Sequence, residues 1–269
     1  MTGTMRSWVA VGTIAAALGT PTAARAQAKT AFGQKQGEFI LSADRLVPLI
    51  SWWRVAQDDF GPPPNAPAGS TSFSTQSQTS ISFFWGSAET GAAPLEAFYA
   101  VPRVGLDYTI VPHVTVGGDI GLFFTAGTNQ SQQVDLPNGS NSTASGSAGS
   151  LFVFGIAPRA GYILNLNDSF AIWLRGGFSF YTATSSTEKD PMTGNYTHNN
   201  TDQFAIDLEP TFVYTPVPHF GLTASLDGDI PVAGRRSVTN YQASGANTEA
   251  SVSSSMAFVG LTLGMLGYF

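Results

Sequence analysis

The amino-acid sequence predicts an all-β fold: a closed antiparallel up-and-down transmembrane β-barrel of eight strands. The first reason is an alternation of bulky apolar with small or polar residues, the pattern of a strand with two unlike faces. The second is composition, since only 11% of the 269 residues are charged, against about 25% in soluble domains. The third is that short and long connections alternate along the chain, as they do in membrane-spanning barrels.

The N-terminus has the pattern of a cleavable signal peptide. Arg6 gives a positive start, residues 8–18 form an apolar run too short for a permanent membrane helix, and Ala24-Arg25-Ala26 is a small-residue cleavage site. We therefore predict a signal peptide at residues 1–26 and one barrel domain at residues 27–269. Export through the secretion translocon follows from this. An amphipathic N-terminal helix is the alternative.

Eight segments carry the strand pattern: 37–47, 101–110, 114–124, 152–164, 170–180, 204–214, 220–230 and 256–269. In the second of them, for example, Val104 and Leu106 alternate with Arg103 and Asp107. Residues 80–87 also look like a strand. If they insert with a partner, the barrel has ten strands. Otherwise they extend a hairpin above the membrane, which is what we expect.

Short connections at 111–113, 165–168 and 216–219 alternate with long ones at 55–100, 126–149, 185–202 and 233–252. The long ones are rich in Gly, Ser, Thr, Asn and Pro, which is typical of mobile polar loops. We place them outside the cell and the short turns in the periplasm. Pro102, Pro158 and Pro210 lie inside strands and predict bulges, because proline cannot donate to the ladder. Arg45 falls on the apolar face of the first segment, which predicts a shift or bulge there.

We predict that the bulky faces point outward, toward lipid. The other face is dominated by small residues, which suit the narrow lumen of a small barrel. Aromatic residues also cluster beside the short turns, as in the interfacial girdle of a membrane barrel. The girdle residues are Tyr108, Tyr162, Phe170, Tyr214 and Phe220. A soluble lipocalin-like barrel is the alternative, but 11% charge leaves it little solubilising surface.

The inward faces carry charges at similar heights above the short turns, and these predict a network of arginines and carboxylates that plugs the lumen. Its members are Arg103, Asp119, Arg159, Arg175, Asp207, Glu209, Asp227 and Asp229. The acids outnumber the arginines, so the excess must be protonated, hydrated or bound to a cation. A Ca²⁺ site at Asp207, Glu209, Asp227 and Asp229 is open, but we favour a hydrated salt-bridge core without metal and expect no cofactor.

No residue pattern predicts catalysis. His113 and His219 lie in short turns, and His198 lies in a long connection where it could meet Asp190 or Asp202 only through loop packing. The motifs of serine hydrolases, P-loops, dinucleotide sites and zinc proteases do not occur. We therefore predict that the protein is not an enzyme. The net charge of −6 argues against binding to nucleic acid, and the lack of Cys excludes disulfides and thiolate metal sites.

The C-terminal sequence TLGMLGYF resembles the last strand of bacterial outer-membrane β-barrels. Thr262, Gly264 and Phe269 match that pattern, whereas Gly267 stands where a large apolar residue is usual. The resemblance implies that this strand is recognised by the barrel-assembly machinery in a Gram-negative outer membrane. The chain from residue 27 resembles small OmpA/OmpX/OmpW-like barrels in architecture, and the stretch PRVGLDYTIVP resembles uncharacterised outer-membrane proteins of myxobacterial type.

The predicted function is that of a monomeric outer-membrane barrel with a plugged lumen and a structural or adhesion-like role carried by its outer loops. Its partners are outer-membrane lipid and, during biogenesis, the translocon and the assembly machinery. A small-solute channel and a hydrolase at the rim remain open as alternatives.

Overall fold

The computed structural model describes residues 32–58, 75–83, 101–125, 129–135, 141–147, 149–187, 189, 194–242, 245 and 247–269. The predicted signal peptide lies outside these residues. The described chain forms eleven strands. They are β1 (Phe39–Asp58), β2 (Thr75–Phe83), β3 (Arg103–Val111), β4 (Val114–Thr125), β5 (Asn129–Asp135), β6 (Asn141–Ser147), β7 (Ser150–Asn165), β8 (Phe170–Ser186), β9 (Tyr196–Val217), β10 (Phe220–Tyr241) and β11 (Thr248–Tyr268). Within this part of the chain, no helix is long and apolar enough to cross a membrane.

Eight of the described strands form a closed ring in the order β1-β3-β4-β7-β8-β9-β10-β11, and β11 pairs back with β1. All neighbours are antiparallel. β2 pairs with the second half of β1, from Ile50↔Phe83 to Asp58↔Thr75, and so extends a hairpin rather than entering as a ninth wall strand. β5 and β6 form a separate hairpin. The prediction of an eight-stranded up-and-down barrel is confirmed, and the ten-stranded alternative is wrong.

The strands extend further from the short turns than the alternation predicts. β8 continues to Ser186, β9 begins at Tyr196 and β10 continues to Tyr241. The long connections predicted at 185–202 and 233–252 are therefore partly strand. Both faces of these extensions are largely polar, so they lack the apolar alternation that marks a strand in the sequence, although the backbone ladder continues. We call the end of the barrel with the short turns the turn end and the other the far end.

Two of the short turns have the same design. Pro112 and Pro218 are each followed by a histidine in the left-handed region, with φ of 72° at His113 and 67° at His219. Proline followed by a positive φ is the combination typical of a type II turn, where glycine is usual. The Nδ1 atoms of the histidines lie 3.0 Å from the carbonyl oxygen of Ile163 and 2.7 Å from that of Tyr268. Because a carbonyl only accepts, Nδ1 donates in both, and each ring ties its turn to the neighbouring strand end.

The bulges are not at Pro102, Pro158 and Pro210, where the sequence predicts them. The ladders run through Pro158 and Pro210 without a change of register, and Pro102 precedes β3. The predicted bulges at these prolines are wrong. Register shifts instead follow Pro48 in β1 and Pro231 in β10. At Pro158 and Pro210 the ladder tolerates the missing donor, because the flanking pairs keep the register.

The bulge that matters for the interior is at Arg45. Its φ is 58°, and the β1–β11 register shifts between Ala43 and Val47. Three residues of β1, 44–46, stand opposite Gly264 alone, and the positive φ turns Arg45 inward, where it is 2% exposed. The bulge predicted at Arg45 is confirmed. Arg45 does not face lipid, because simple alternation does not hold at a bulge.

The bulky side chains point outward, as predicted. Val104, Leu122 and Phe124 are 60%, 56% and 69% exposed, which excludes a soluble barrel with an apolar lumen. At the turn end the five predicted girdle residues lie on this outer face, and the ring of Phe170 stacks on that of Tyr214 at 4.8 Å between centroids. An apolar band closed by aromatics is the exterior of a transmembrane β-barrel.

The outer face changes from apolar to polar between two adjacent rows of paired residues. The apolar row consists of Phe180, Phe204 and Ala233. The next row toward the far end consists of Thr182, Asp202, Arg235 and Ser253. We call this step the outer boundary. The walls of β8 to β11 continue beyond it, so a polar sheet stands above the lipid-facing band.

Candidate functional site: the filled lumen

The lumen is filled by three layers of side chains. The turn-end layer is apolar and consists of Phe32, Ile40, Ile163, Ala171, Trp173, Val213, Leu266 and Tyr268. The charge layer lies above it and consists of Arg45, Arg103, Arg159, Arg175, Asp44, Asp107, Asp119, Asp207, Glu209, Asp227 and Asp229, all buried. The far-end layer is again apolar and consists of Val101, Val153, Tyr181, Ala183, Met256 and Phe258.

A short segment before β1 closes the turn end. The ring of Phe32 lies edge-on against Trp173 at 5.5 Å and Tyr268 at 5.4 Å. Its carbonyl accepts from Nδ2 of Asn165 at 3.0 Å, and the backbone N–H of Gly33 donates to Oε1 of Glu38 at 2.9 Å. Burial raises the pKa of Glu38 above its usual value, although the Gly33 N–H and the nearby His219 and Lys35 lower it. No sequence pattern marks this segment, because one aromatic residue outside a repeating pattern carries no signal.

Arg159 is the centre of the charge layer. Its guanidinium makes ion pairs with Asp107 at 2.7 Å, Asp119 at 3.0 Å, Asp44 at 3.2 Å and Glu209 at 3.3 Å. Nε adds a bond to the other oxygen of Asp107. The planar fork of arginine suits such multiple contacts. Gly105 leaves the space for it, because a Cβ there would lie 2.5 Å from Nη2 of Arg159.

Two ion pairs cross the full width of the barrel. In the ring order, β8 lies opposite β1 and β9 lies opposite β3. Arg175 on β8 reaches Asp44 on β1 at 3.0 and 3.2 Å, and Arg103 on β3 reaches Asp207 on β9 at 3.2 Å. Side chains from opposite walls are therefore in direct contact, as expected for an eight-stranded barrel.

The predicted network lacks three members of the layer, Asp44, Asp107 and Arg45, and of these only Arg45 was placed on the wrong face. From its bulge it reaches Asp227 at 3.4 Å through Nε and Asp229 at 3.4 Å through Nη2. Its position on an otherwise apolar face could have indicated that the side chain turns inward, since an unpaired charge toward lipid is costly. Thus the four acids once considered for Ca²⁺ each face a guanidinium: Asp227 and Asp229 face Arg45, Asp207 and Asp229 face Arg103, and Glu209 faces Arg175 and Arg159.

The carboxylates close enough to share one ion are a different set. Among the described residues, Asp44, Asp119 and Glu209 have oxygens within 4.8 Å of one another, whereas Asp207, Asp227 and Asp229 do not meet this spacing. Nη1 of Arg159 contacts all three carboxylates of that set. The guanidinium thus occupies the position that a cation would take between these three carboxylates.

Aromatic rings cover the charge layer from both sides. The guanidinium of Arg175 lies 4.5 Å and that of Arg159 5.7 Å from the Trp173 ring in the turn-end layer. Arg103 lies 5.3 Å from Tyr181, and Arg45 lies 5.5 Å from Phe258, in the far-end layer. Cation–π contacts of this kind favour desolvated guanidiniums. A cavity of about 10 Å³ beside Tyr181 and Arg103 has room for about one water molecule.

His198 lies in strand β9 rather than in a loop. Its Nδ1 atom is 3.0 Å from Oγ of Ser186 on β8, on the outer face of the wall. Asp202 lies four residues along the same strand and accepts from Nδ2 of Asn200 at 3.2 Å; Asp190 lies outside the described residues. In the described part of the chain, no carboxylate bonds to His198, so the Ser–His pair lacks the third group that orients a catalytic histidine.

The residues of the predicted assembly signal lie in three environments. Oγ1 of Thr262 donates to Oδ2 of Asp227 at 2.8 Å, inside the charge layer. Gly264 lies on the β1–β11 seam, where a Cβ would lie 2.5 Å from the carbonyl oxygen of Ala43. The Phe269 ring is exposed at the turn end, and its backbone exchanges two hydrogen bonds with Phe39, at 2.9 and 3.0 Å. The C-terminal strand therefore closes the ring.

No protein-family model matches the chain, and no curated protein is similar to it in sequence. Three solved structures are similar in overall shape. They are Ail, the attachment invasion locus protein of Yersinia pestis (10% identity, 87% of this chain and 100% of that chain, TM-score 0.37); the outer membrane protein OprG from Pseudomonas aeruginosa (12%, 89% and 99%, 0.49); and a major outer membrane protein from Thermus thermophilus (13%, 83% and 100%, 0.43). By its closed ring and apolar exterior, this chain has the architecture of a transmembrane β-barrel.

Proposed function

We propose that the protein is a non-conducting barrel that displays its polar far-end wall at the cell surface for structural or adhesive contacts. The observation that carries the proposal is the pair of ion contacts across the barrel, Arg175–Asp44 and Arg103–Asp207. Because these contacts join opposite walls, a hydrated ion would have to break them to pass. Apolar layers on both sides raise the barrier further, since an ion there would lose its water without gaining partners.

The extended wall supports the second half of the proposal. Beyond the outer boundary, the outward side chains of β8 to β11 are mostly hydroxyl and amide groups, such as Thr184, Asn200, Ser237 and Ser251. Such a wall costs little to keep in water and offers many hydrogen-bond donors and acceptors. Outer-membrane lipid surrounds the apolar band, and the assembly machinery and the translocon remain partners by inference from the sequence.

Single-channel recording in a planar bilayer tests the plugged lumen. The wild-type protein is expected to give no steady conductance above that of an empty bilayer. A matched variant, Arg175→Ala with Asp44→Ala, removes one contact across the barrel while keeping the net charge. If this variant folds and conducts whereas the wild type does not, the lumen is sealed by the charge layer. A steady conductance from the wild type would instead favour a small-solute channel.

A further inference from the structure

Two arginines of the described residues are exposed on the outer face of the wall, near the outer boundary. Arg54 on β1 and Arg235 on β10 are exposed, and both strands flank β11. Arg54 pairs with Ala257, and Arg235 pairs with Ser253. On β11 the outward residues change at this level from Leu261 and Val259 to serines. We call Arg54, Arg235, Ser251, Ser253 and Ser255 the boundary patch.

We propose that the boundary patch binds the phosphorylated saccharide headgroup of a glycolipid in the outer leaflet. The inference rests on the proposed orientation, in which the far end faces outward. Arginine at the edge of an apolar band is placed to meet lipid phosphates, because its fork bonds two phosphate oxygens at once. The guanidinium of Arg235 is also held in place, since Nη2 donates to Oγ of Ser251 at 3.1 Å.

The spacing of the two arginines favours a headgroup with more than one phosphate. Their partners on β11 are four residues apart, which is roughly 13 Å along the strand, and two strand spacings add roughly 10 Å sideways. The backbone positions of Arg54 and Arg235 are therefore roughly 16 Å apart. This distance disfavours binding of one phosphate by both guanidiniums. Two phosphates on one saccharide would match them, with the serines of β11 between.

The polar wall above the patch favours a sugar over a simple phospholipid headgroup. Three rows of outward residues follow the boundary, led on β10 by Arg235, Ser237 and Thr239, and cover roughly 13 Å of strand. A phospholipid headgroup meets only the first row, whereas a saccharide reaches the hydroxyls of the second and third. Two acids lie on this face among the residues whose side chains are described. Asp202 lies in the first row, paired across the strands with Arg235, and accepts from Asn200, and Glu249 lies in the third row.

Binding is tested on the folded protein in neutral detergent with three probes of stated chemistry: a bisphosphorylated glycolipid, the same glycolipid after removal of both phosphates, and phosphatidylglycerol. Native mass spectrometry counts the retained lipid, and a titration gives the relative affinity. The variants are Arg54→Gln, Arg235→Gln and the double substitution, with Lys35→Gln as a matched control because Lys35 is an exposed cation near the turn end. Circular dichroism and heat-modifiable mobility in gel electrophoresis establish that each variant is folded.

The bisphosphorylated probe is expected to bind most tightly, with a loss of about five-fold for each arginine removed and no loss for Lys35→Gln. Equal retention of the dephosphorylated probe, equal retention of phosphatidylglycerol, or unchanged affinity in the double variant would overturn the proposal. None of these outcomes depends on conductance. The proposal of lipid binding at the boundary patch and the proposal of a sealed lumen can therefore be refuted independently.

Discussion

Removing Arg159 should destabilise the barrel more than removing any surface cation. The side chain is 1% exposed and pairs with Asp44, Asp107, Asp119 and Glu209. Asp44 and Glu209 keep Arg175, and Asp119 keeps Arg103. Among the ion pairs of the described residues, Asp107 has Arg159 alone. The change to alanine therefore leaves one buried carboxylate without a cation and weakens three others.

Breaking a buried pair from one side costs about 3–5 kcal/mol. For a chain of this size, ~1 kcal/mol moves the midpoint of thermal unfolding by about 2–4 °C, so Arg159→Ala should lower it by roughly 6–20 °C. Adding Asp107→Asn removes the orphaned charge. The double variant should therefore be more stable than Arg159→Ala, with a coupling of about 1–3 kcal/mol between the two positions.

Tryptophan fluorescence during thermal unfolding in detergent measures the effect directly, because Trp173 stacks against the arginines of the layer. Lys35→Ala, which removes an exposed cation, is the control and should change stability by less than ~0.5 kcal/mol. If Arg159→Ala unfolds at the same temperature as this control, or if Asp107→Asn makes it less stable, the charge layer does not stabilise the fold through these ion pairs.

Three further predictions use the same assay. Arg175→Ala removes one contact across the barrel and a stacked guanidinium, and should lower the unfolding temperature by a similar amount; an unchanged curve would show that this contact does not stabilise the barrel. Gly105→Ala should destabilise because the new methyl group meets the Arg159 guanidinium, whereas Gly121→Ala, whose methyl group finds ordinary contacts, should not; equal effects would contradict the steric reason. Glu38 has a raised pKa in the folded protein, so the folded state binds its proton more tightly than the unfolded state, and stability should fall as pH rises from the usual carboxyl pKa through the raised one. Glu38→Gln keeps an acceptor for the Gly33 N–H and should remove that part of the pH dependence; an identical pH profile would show that Glu38 does not cause it.

The strand phases follow from sequence because two unlike environments, lipid and lumen, impose a period of two. That is why the alternation alone assigns Arg103, Arg159 and Arg175 to the interior. It misplaces Arg45, because the positive φ at the bulge turns this one side chain inward while Leu41 and Val47 on either side still point outward. The partners within the layer also lie beyond the reach of sequence reasoning, since they depend on the stagger between strands.

The strand ends were predicted less well than the strand centres for a related reason. Beyond the outer boundary both faces of the wall meet water or polar neighbours, so selection for alternation is absent and only the backbone ladder defines the strand. His198 is the clearest case: its neighbours His198-Asn199-Asn200 are typical of a loop, yet they pair on both sides with β8 and β10. The sequence also does not predict the turn-end segment around Phe32. This segment has no repeating pattern, and its conformation depends entirely on tertiary contacts.

The contacts across the barrel also bear on how the molecule is built. Hairpins can pair one after another along the chain, but Asp44 meets Arg175, and Arg103 meets Asp207, only when the curling sheet has brought opposite walls together. Until then these charges need water or another shield, because a half-rolled sheet in lipid would hold them uncompensated. Before the first strand pairs with the last, the unpaired lumen charges should oppose insertion. After that pairing they form ion pairs that stabilise the barrel, so partly rolled intermediates should be scarce.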